Sequence, residues 1–467
     1  MWTDEIFTSI IAGLRNRKAI WSALSSGIGP MPPTFYLLTR FCERVLGQNS
    51  FALRLPAIAG VLLASMCIFR FVRHRTNSLY GVVAVLGLWI TRGYWYAYEG
   101  RPYGLVLGFC GLALLCWQAA TEGDHRGVAL AGLFCACAGA VGSHYGGILL
   151  LGPLGIGELI RSILRKKIDL PIWMGFSGAA LPLVFYHSLL KSSITSYGAA
   201  MVSRPRWTSV PGAYRVLFSD ALMPLAAALC CLLLWQAMTD SAVSPLAKKH
   251  DSFCIYEVAA VITLLLFPVI GLLQALLVTG QITPRYVLPA VMGFSIIFAF
   301  AAFRFWGSDA TNGMVIILVL FGGWSYNVWK QYNEAIQGRR EVARFISLGH
   351  SQPNLPIVVG DGQLFIELVE YCPKDVVSHL LYPADPHFAQ NYLGKDTLDF
   401  DLLAYNRLTP LNVLEAEAFF QTRTPFLLYW TASTGDWIFL FLRERGAHLE
   451  LARNPFTAGL LFYVQMR

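Results

Sequence analysis

Charged residues are scarce in this sequence. Asp, Glu, Lys and Arg make up 14% of the 467 residues, whereas hydrophobic residues make up 55%, and the mean hydropathy is +0.52. Globular domains carry about 25% charged residues, so this composition excludes an ordinary water-soluble protein. The chain is therefore predicted to be an integral membrane protein.

The sequence also lacks a continuous basic stripe of the kind that binds nucleic acid. Its formal net charge is +8, but the Lys and Arg residues lie mainly in short loops between apolar runs. Such loops set the orientation of membrane helices. We therefore expect a lipid bilayer around the chain and no nucleic-acid partner.

Metal-ligand spacing and a cleavable signal peptide are absent too. The ten cysteines show no metal-binding pattern. Those within apolar runs, which are predicted to be small buried hydrophobic residues, include Cys110, Cys116, Cys135, Cys137, Cys230 and Cys231. An acidic segment, instead of a basic flank and an apolar core, follows Met1. Targeting is expected to come from the membrane helices themselves.

Long apolar runs dominate the first 330 residues. A membrane-spanning helix needs about 20 apolar residues, and ten runs qualify, at about 51–72, 78–95, 103–120, 127–142, 144–160, 171–190, 219–237, 254–278, 284–303 and 311–329. If these runs alternate in direction, the most basic loops share one side, which the positive-inside rule makes cytoplasmic. The even number of spans then puts both termini outside the cytoplasm.

The segments flanking these spans have a different composition. Residues 5–50 are interrupted by basic residues and by Gly and Pro, and are predicted to form two amphipathic helices on the outer membrane surface. After Trp329 no run is long enough to span, and apolar strand patterns alternate with helical ones. We predict a transmembrane domain over 1–330 and a small extracytoplasmic α/β domain over 331–467. The α/β domain is expected to bind the acceptor or to cap the active site.

The predicted strands of the second domain are Leu355–Gly360, Val376–Leu381, Pro425–Trp430, Leu449–Arg453 and Leu460–Val464, with helices at about 361–371, 411–421 and 435–446. The Gly360-Asp-Gly362 turn lacks the full glycine pattern of a dinucleotide site. It favours a plain strand-to-helix turn.

Five polar features lie at the predicted outer ends of the membrane helices. They are the acidic pair Asp4-Glu5, the segment Tyr94–Tyr103 with Glu99 and Arg101, the turn Ser143-His144-Tyr145, the basic loop with Lys191, Arg204, Arg206 and Arg215, and the turn Pro284-Arg285-Tyr286. Because all five face one compartment, they are predicted to converge on one cavity at the outer membrane face.

These residue types suit a displacement at a carbon that bears a phosphate. A carboxylate such as Asp4 takes a proton from an attacking hydroxyl or amine, and a second one such as Glu99 orients the nucleophile. Either carboxylate is also a candidate ligand for a divalent cation, Mg²⁺ or Mn²⁺, which the sequence leaves open. The forked charge of arginine fits a phosphate leaving group.

Each feature also has a structural explanation. Glu99 and Arg101 form a simple ion pair in a solvated loop equally well. His144 at a helix end is more often a structural hydrogen-bond donor than a catalyst. Tyr103 and its aromatic neighbours stack on a sugar ring or belong to an interfacial aromatic belt. Arg204 and Arg206 hold a lipid headgroup or contact the leaflet electrostatically.

The order of these motifs nevertheless resembles one family. The series Trp2-Thr-Asp-Glu-Ile-Phe7, Pro32-Pro-Thr-Phe-Tyr36, Phe51-Ala-Leu-Arg-Leu-Pro56, Glu99-Gly-Arg-Pro-Tyr103, Ser143-His-Tyr-Gly146 and Pro284-Arg-Tyr286 is similar to that of the polytopic GT-C glycosyltransferases. The resemblance covers residues 1–330. It is strongest to the bacterial branch related to protein O-mannosyltransferases, lipid A aminoarabinose transferases and rhizobial core galacturonosyltransferases.

The resemblance implies a donor, an acceptor and roles for site residues. The donor is a polyprenyl-phosphate sugar, and the acceptor lies on the outer face of the bacterial cytoplasmic membrane, as lipid A or lipopolysaccharide, another glycan, or a protein. Asp4 matches the family's presumed catalytic base, with Glu5 beside it, and Glu99 matches a second acidic position. Arg101 and Arg285 match phosphate-binding arginines, with Arg204 and Arg206 as further candidates. His144, Tyr145, Tyr103 and Tyr286 are candidate substrate-binding residues, and direct displacement inverts the anomeric centre.

One departure from the family concerns the start of the chain. Family members carry a membrane helix before the Asp-Glu loop, whereas Asp4 lies three residues after Met1. We expect either that the natural start lies upstream of Met1 or that this helix is absent here.

Two rival functions use the same features. A transporter or lipid flippase also has many helices around a polar cavity, but it tends to place charges at mid-membrane and to show internal repeats, neither of which is evident here. The other rival is a membrane scaffold without catalytic activity, whose α/β domain binds a partner.

Overall fold

A computed structural model describes the chain except for residues 124, 199–204, 240–252, 281, 307–309, 353–354, 395, 397, 432, 434, 453–455, 457–458 and 467. The chain divides into two compact units. The membrane unit comprises residues 31–191 and 204–329, and the sheet unit comprises residues 1–30, 192–203 and 330–467.

Seventeen helices precede the first strand of the described chain. They are α1 (Thr3–Gly13), α2 (Arg17–Ser25), α3 (Pro33–Leu46), α4 (Ser50–Arg75), α5 (Ser78–Trp89), α6 (Tyr103–Glu122), α7 (Arg126–Ser143), α8 (Leu151–Arg165), α9 (Leu170–Phe176), α10 (Ala180–Phe185), α11 (His187–Gly198), α12 (Ser209–Phe218), α13 (Leu222–Thr239), α14 (Ile255–Leu265), α15 (Phe267–Gln274), α16 (Ala290–Trp306) and α17 (Ala310–Ser351). Short 3₁₀ turns at Trp95–Ala97, Tyr145–Leu150 and Pro284–Val287 link several of them.

The membrane-spanning helices agree with the predicted apolar runs. By length and composition, six stretches of helix in the described chain are able to cross a bilayer, and two bent pairs of helices count as one further span each. The two shorter apolar helices are α5 and α16. Together they cover all ten predicted runs, so the chain is a multi-pass membrane protein.

Asparagine caps and glycine contacts fix α4 and its neighbours. Asn49 and Asn77 accept hydrogen bonds from the backbone N–H of Ala52 and Tyr80, at 2.9 and 3.2 Å, which begins α4 and α5. A side chain at Gly60 of α4 would meet the carbonyl oxygen of Gly104 in α6 at 2.3 Å. Only small residues allow this approach, and the contact holds the first turn of α6 against α4.

The cysteine prediction is only partly correct. All ten cysteines are free, and Cys110 and Cys137 are buried, but Cys135, Cys230 and Cys231 are exposed on helix surfaces. These surfaces belong to segments long and apolar enough to span a membrane. An apolar thiol is tolerated in lipid as well as in a protein core, which explains the difference.

The sheet unit contains six strands. They are β1 (Ile357–Val359), β2 (Leu380–Ala384), β3 (Val413–Glu415), β4 (Phe426–Trp430), β5 (His448–Leu451) and β6 (Leu460–Gln465). The spatial order is β3-β2-β1-β4-β6-β5. The first four strands of that order are parallel, and β6 pairs antiparallel with both β4 and β5.

Six helices accompany these strands: α18 (Gly362–Tyr371), α19 (Lys374–Val377), α20 (Pro386–Leu393), α21 (Asp399–Asn406), α22 (Ala416–Gln421) and α23 (Ile438–Glu444). The predicted α/β fold is therefore confirmed. At Gly360-Asp-Gly362 the chain makes the predicted strand-to-helix turn, where Asp361 caps α18 by accepting from the backbone N–H of Gln363 at 2.8 Å.

One strand prediction and one helix prediction need correction. Residues 376–381 were predicted as a strand, but α19 covers the start of that stretch and β2 begins only at Leu380. Residues 411–421 were predicted as one helix, whereas β3 occupies Val413–Glu415 before α22. β2 and β3 pair with each other in parallel. Such long-range pairing overrides local periodicity, particularly in a strand of three residues.

The N-terminal segment differs from the prediction of two surface helices over 5–50. It forms three helices, of which α1 and α2 belong to the sheet unit and only α3 to the membrane unit. The ring of Phe7 stacks on Tyr405 at 4.0 Å, and Thr3 Oγ1 donates to the carbonyl oxygen of Gln363 at 3.3 Å. The apolar face of α1 is thus buried against protein. The division between the two units falls inside α17, between residues 329 and 330, and residues 1–30 group with the sheet unit.

Asp399 and Asp436 are buried aspartates of the sheet unit. Asp399 accepts from Asp385 N–H at 2.9 Å, Trp437 Nε1 at 3.0 Å and Tyr382 Oη at 3.2 Å. Asp436 lies so close to Gly360 that a side chain there would meet its Oδ2 at 2.1 Å. Burial, opposed in part by hydrogen bonds from backbone N–H groups, raises the pKa of each carboxyl to about 7.

These raised pKa values predict that the sheet unit loses stability as the pH rises from about 4 to about 7. The folded state binds the proton more tightly than the unfolded state, whose Asp pKa is near 3.8. Replacing Asp436 with Asn removes one such group and is expected to stabilise the protein by about 1 kcal/mol or more at pH 8, with little effect at pH 4. Thermal unfolding of the full chain in detergent, followed by tryptophan fluorescence, measures this.

The matched control is Glu450→Gln, which neutralises an exposed carboxylate on β5. It should leave the pH dependence of the unfolding temperature as in the wild type. A wild-type chain that becomes more stable between pH 5 and 8 would contradict the prediction.

Candidate functional site

The ends of three helices meet in the membrane unit and bring several predicted site residues together. Tyr103 is the first residue of α6, His144 directly follows α7, and Arg285 and Tyr286 lie in the 3₁₀ turn Pro284–Val287 before α16. We call these four residues the arginine–aromatic cluster. Their contacts bring together residues from three of the five features that the sequence predicts to converge.

Ring contacts define the geometry of the cluster. The His144 ring lies 5.4 Å from Tyr103 and 5.1 Å from Tyr286, centroid to centroid. The Arg285 guanidinium carbon is 5.7 Å from the Tyr103 ring and 5.9 Å from the Tyr286 ring. A guanidinium held beside two aromatic rings is a positive charge of the kind that binds an anion. Between these side chains and Val106 lies a small cavity of about 10 Å³, which is room for one water-sized group.

His144 has a defined hydrogen-bonding state. Its Nδ1 accepts a hydrogen bond from the Gly146 backbone N–H at 2.9 Å. Burial, and then the positive charges of Arg101 and Arg285, lower the pKa of His144 to about 3. The imidazole is therefore neutral near pH 7, with its proton on Nε2. It is a hydrogen-bond donor at that nitrogen, and Arg101 and Arg285 both act on it electrostatically.

The Tyr94–Tyr103 segment contributes further groups. Arg101 is buried, and its backbone N–H donates to the carbonyl oxygen of Glu99 at 2.7 Å. Burial raises the pKa of Tyr96, and Glu99 and Tyr103 add to this effect while Arg285 opposes it. These mutual effects place Glu99 electrostatically close to Tyr96, whose ring also lies 5.6 Å from Tyr103. Glu99 and Arg101 therefore belong to the surroundings of the cluster.

Asp220, which the sequence pattern does not single out, anchors the start of this segment. Asp220 accepts from Trp95 Nε1 at 3.1 Å and pairs with Arg92 Nε at 3.3 Å. The Arg92 guanidinium carbon lies 4.2 Å from the centre of the Trp95 ring. Asn327 donates to the Asp220 carbonyl oxygen at 3.3 Å. Arg92 and Asp220 are far apart in sequence, and only the isolated acidic residue at the start of a long apolar run hints at Asp220.

Two other candidate residues, Tyr145 and Arg206, have different surroundings. Tyr145 lies close enough to Tyr36 and Tyr186 for an electrostatic interaction. Arg206 is exposed before α12, where its backbone N–H donates to Ser209 Oγ at 3.3 Å. Arg204 lies outside the described residues.

Asp4 and Glu5 belong to the sheet unit. Asp4 is half-buried in the first turn of α1, whereas Glu5 is fully buried. Glu5 Oε2 accepts from the Trp2 backbone N–H at 3.1 Å, as the glutamate of a capping box does. This contact gives Glu5 a structural role in beginning α1.

Metal ligands were a further possibility for Asp4 and Glu99. Over the described part of the chain, no group of three His, Cys, Asp or Glu side chains is arranged to hold a metal ion. A cation bound by these two residues stays a hypothesis from the sequence.

A protein-family model matches part of the chain. Residues 30–190 match the family model of dolichyl-phosphate-mannose-protein mannosyltransferases. Among curated proteins, no sequence matches significantly.

Solved structures share the fold. The chain resembles ArnT from Cupriavidus metallidurans in the apo state, with a TM-score of 0.59 and 12% identity over 98% of this chain and 93% of that one. It also resembles the same protein bound to undecaprenyl phosphate, with a TM-score of 0.57 and 13% identity over 99% and 93%. An Archaeoglobus fulgidus oligosaccharyltransferase matches with a TM-score of only 0.43 and 13% identity, over 98% of this chain and 69% of that one, and carries no weight here.

The resemblance to GT-C glycosyltransferases is thereby confirmed at the level of the fold. The family match covers α3 to α10 and includes Glu99, Arg101, Tyr103 and His144. The family match and the shared fold together support a membrane glycosyltransferase of the GT-C type.

The Asp220 anchor predicts the behaviour of the 92–101 segment. Asp220→Ala removes both the ion pair with Arg92 and the hydrogen bond from Trp95. We expect amide hydrogen exchange of residues 92–101 to rise about tenfold, since such a contact contributes about 1 kcal/mol or more. Asp220→Asn keeps an acceptor for Trp95 and should have a smaller effect.

Asp169→Ala is the matched control because it breaks an arginine pair at the far end of α7, with Arg126 and Arg161. It should leave exchange of residues 92–101 unchanged. Equal exchange in Asp220→Ala and the wild type would show that Asp220 does not hold the segment.

Proposed function

We propose that this chain, which has the GT-C fold, transfers a sugar from a polyprenyl-phosphate donor to an acceptor outside the cytoplasm, with inversion at the anomeric carbon. The membrane is the bacterial cytoplasmic membrane. The arginine–aromatic cluster and the sheet unit are assigned to the outer, extracytoplasmic side. The reason is that the opposite helix ends carry most of the basic loop residues, which the positive-inside rule places in the cytoplasm. The acceptor is lipid A or lipopolysaccharide, another glycan, or a protein.

The observation that carries this proposal is the pairing of arginine with aromatic rings at the helix ends. Arg101 and Arg285 both lower the pKa of His144, so two permanent positive charges act at one point. A polyprenyl phosphate presents its phosphate at the membrane surface, where these helices end. ArnT of Cupriavidus has been solved with undecaprenyl phosphate bound, which supports a ligand of the same class. Arg204 and Arg206 are proposed to contribute to the same anion.

The aromatic side chains are proposed to bind the sugar. Tyr103, Tyr286 and the neutral His144 form three ring faces within about 6 Å of one another. His144 Nε2–H is a donor for a sugar or phosphate oxygen, and the Tyr rings offer apolar faces to a pyranose or furanose ring. Tyr145 is assigned to the same pocket from the family resemblance.

The reaction is a single displacement. Asp4 accepts the proton of the acceptor hydroxyl or amine, and Glu99 orients that group, as the family resemblance implies for these two positions. The acceptor atom bonds to the anomeric carbon while the bond from that carbon to the phosphate oxygen breaks. Polyprenyl phosphate leaves with the electron pair, and Arg101 and Arg285 stabilise the charge that develops on it. We propose that the sheet unit binds the acceptor or covers the site.

Removing the charge of Arg285 is expected to weaken donor binding. Arg285→Gln should reduce the affinity for undecaprenyl phosphate by about 10 to 100-fold, because hydrogen bonds to charged groups contribute about 1.5 to 3 kcal/mol. Arg285→Lys should recover part of the loss, since it restores charge without the fork. Displacement of a labelled polyprenyl phosphate from the purified protein measures this.

The control for Arg285 is Arg304→Gln, which removes an exposed arginine at the other end of α16. It should bind the lipid as the wild type does. If Arg285→Gln and Arg304→Gln bind equally well, Arg285 does not hold the phosphate.

The base assignment is tested by comparing neighbouring carboxylates. Asp4→Asn should lower the rate of sugar transfer by about 10² to 10⁴-fold, the usual contribution of a general base, with donor affinity unchanged. Glu5→Gln keeps an acceptor oxygen for the Trp2 N–H and should transfer sugar at nearly the wild-type rate. Transfer assays with purified proteins, a polyprenyl-phosphate sugar and an envelope extract measure both.

Normal transfer by Asp4→Asn would remove Asp4 from the mechanism. In that case a large loss in Glu99→Gln would move the base to Glu99. Liposomes that move lipid between leaflets but never transfer sugar would instead support the flippase alternative.

A further inference from the structure

A second cavity lies at the opposite end of the membrane helices, and the proposed transfer reaction does not use it. It has a volume of about 980 Å³ and lies between α4, α6 and α7. This volume is in the range of cavities that bind small molecules and cofactors. His125 lines it just before α7, whereas His144 follows the other end of that helix. The 18 residues of α7 separate the two sites by about 27 Å.

The α4 wall of this cavity is basic. Arg70, Arg73 and His74 line it, and their spacing of three and four residues puts them on one face of the helix. His74 contacts Glu122 at 2.7 Å. Neither Arg70 nor Arg73 forms an ion pair within the described residues, although the Arg73 guanidinium carbon lies 6.0 Å from the Phe69 ring. Two arginine charges at the rim are therefore not neutralised by a carboxylate.

The α6 wall changes from polar to apolar with depth. Leu112, Leu115, Ala119 and Glu122 line it in steps of three or four residues, so they share one helix face. Glu122 at the helix end is engaged by His74 and Arg75. The ten residues from Glu122 to Leu112 correspond to about 15 Å, along which the wall carries no further charge.

The α7 wall repeats this arrangement. His125, Val128, Ala129 and Gly132 line it at the same helical spacing, with the imidazole at the rim and small or apolar residues below. Val128 is 75% exposed, so the cavity is open along its side to the surroundings of the helices. A side chain at Gly132 would meet Cys116 Sγ at 2.7 Å, so α6 and α7 pack closely against each other beside the cavity.

We propose that this cavity binds an anionic glycerophospholipid, with its phosphate at Arg70 and Arg73 and an acyl chain along Leu112, Leu115 and Val128. The charge at the rim is complementary to a phosphate, and the apolar depth is complementary to hydrocarbon. Basic pockets between membrane helices bind anionic headgroups on the cytoplasmic side, which is where the positive-inside rule puts this end. A soluble anion would not use the apolar part of the cavity.

Native mass spectrometry of the full chain in detergent, with equal amounts of dioleoyl phosphatidylglycerol and dioleoyl phosphatidylcholine, tests the proposal. The wild type should retain phosphatidylglycerol preferentially. Arg70→Gln with Arg73→Gln should reduce that preference about tenfold or more, since each arginine near a membrane surface contributes about fivefold. The control, Arg165→Gln with Lys167→Gln, removes the same charge at the same helix ends outside the cavity and should bind like the wild type.

A second variant probes the apolar part. Ala119→Trp fills the cavity while leaving both arginines, so it should also lower retention of phosphatidylglycerol. Thermal unfolding identifies any variant that fails to fold. Because Arg70 and Arg73 are exposed, replacing them should leave the unfolding temperature unchanged.

Equal retention of the two lipids by the wild type, or equal preference in the two double variants, would overturn the proposal. Wild-type retention in Ala119→Trp would overturn the acyl-chain assignment. Because donor binding depends on Arg285, failure here leaves the proposed function unaffected.

Discussion

The apolar interior of the bilayer is the constraint on which the rest of this structure depends. A charge in hydrocarbon is costly, so the ionic chemistry of the membrane unit is concentrated toward the ends of its helices. At one end, Arg285 lies over Tyr103 and Tyr286 beside His144. Toward the other end, Arg75 binds Glu257 through two hydrogen bonds of 2.9 and 2.6 Å, and Arg161 pairs with Glu158. The polar groups in each set lie close together because isolated charges in the hydrocarbon region would cost too much free energy.

Close helix packing turns this segregation into a defined geometry. Glycines at 60, 104 and 108 let α4 and α6 approach until backbone meets backbone, which fixes the start of α6 and with it Tyr103. The Asp220 anchor fixes the preceding segment through Trp95 and Arg92. A phosphate-binding site needs its donors held in place before the ligand arrives. The glycine contacts between α4 and α6 and the Asp220 anchor supply that rigidity from outside the arginine–aromatic cluster.

Much of this organisation was predictable from the sequence, for identifiable reasons. Ten apolar runs gave ten helical segments because length and hydropathy determine what crosses a bilayer. His144, Tyr103 and Arg285 were predicted together because each flanks an apolar run on the same side. The pairing of β2 with β3, the grouping of α1 with the sheet unit, and the Asp220 anchor were not predictable. Each depends on contacts between residues far apart in sequence, such as Phe7 with Tyr405, and these leave no local periodicity.

Sugar transfer at the arginine–aromatic cluster is the function that we propose for this chain. Mass spectrometry of the envelope glycans from cells with the protein, without it, and complemented with Arg285→Gln tests this most directly. We expect one sugar residue to disappear from one class of glycan when the protein is absent, to return with the wild-type chain, and not to return with Arg285→Gln. Identical glycans with and without the protein would contradict it.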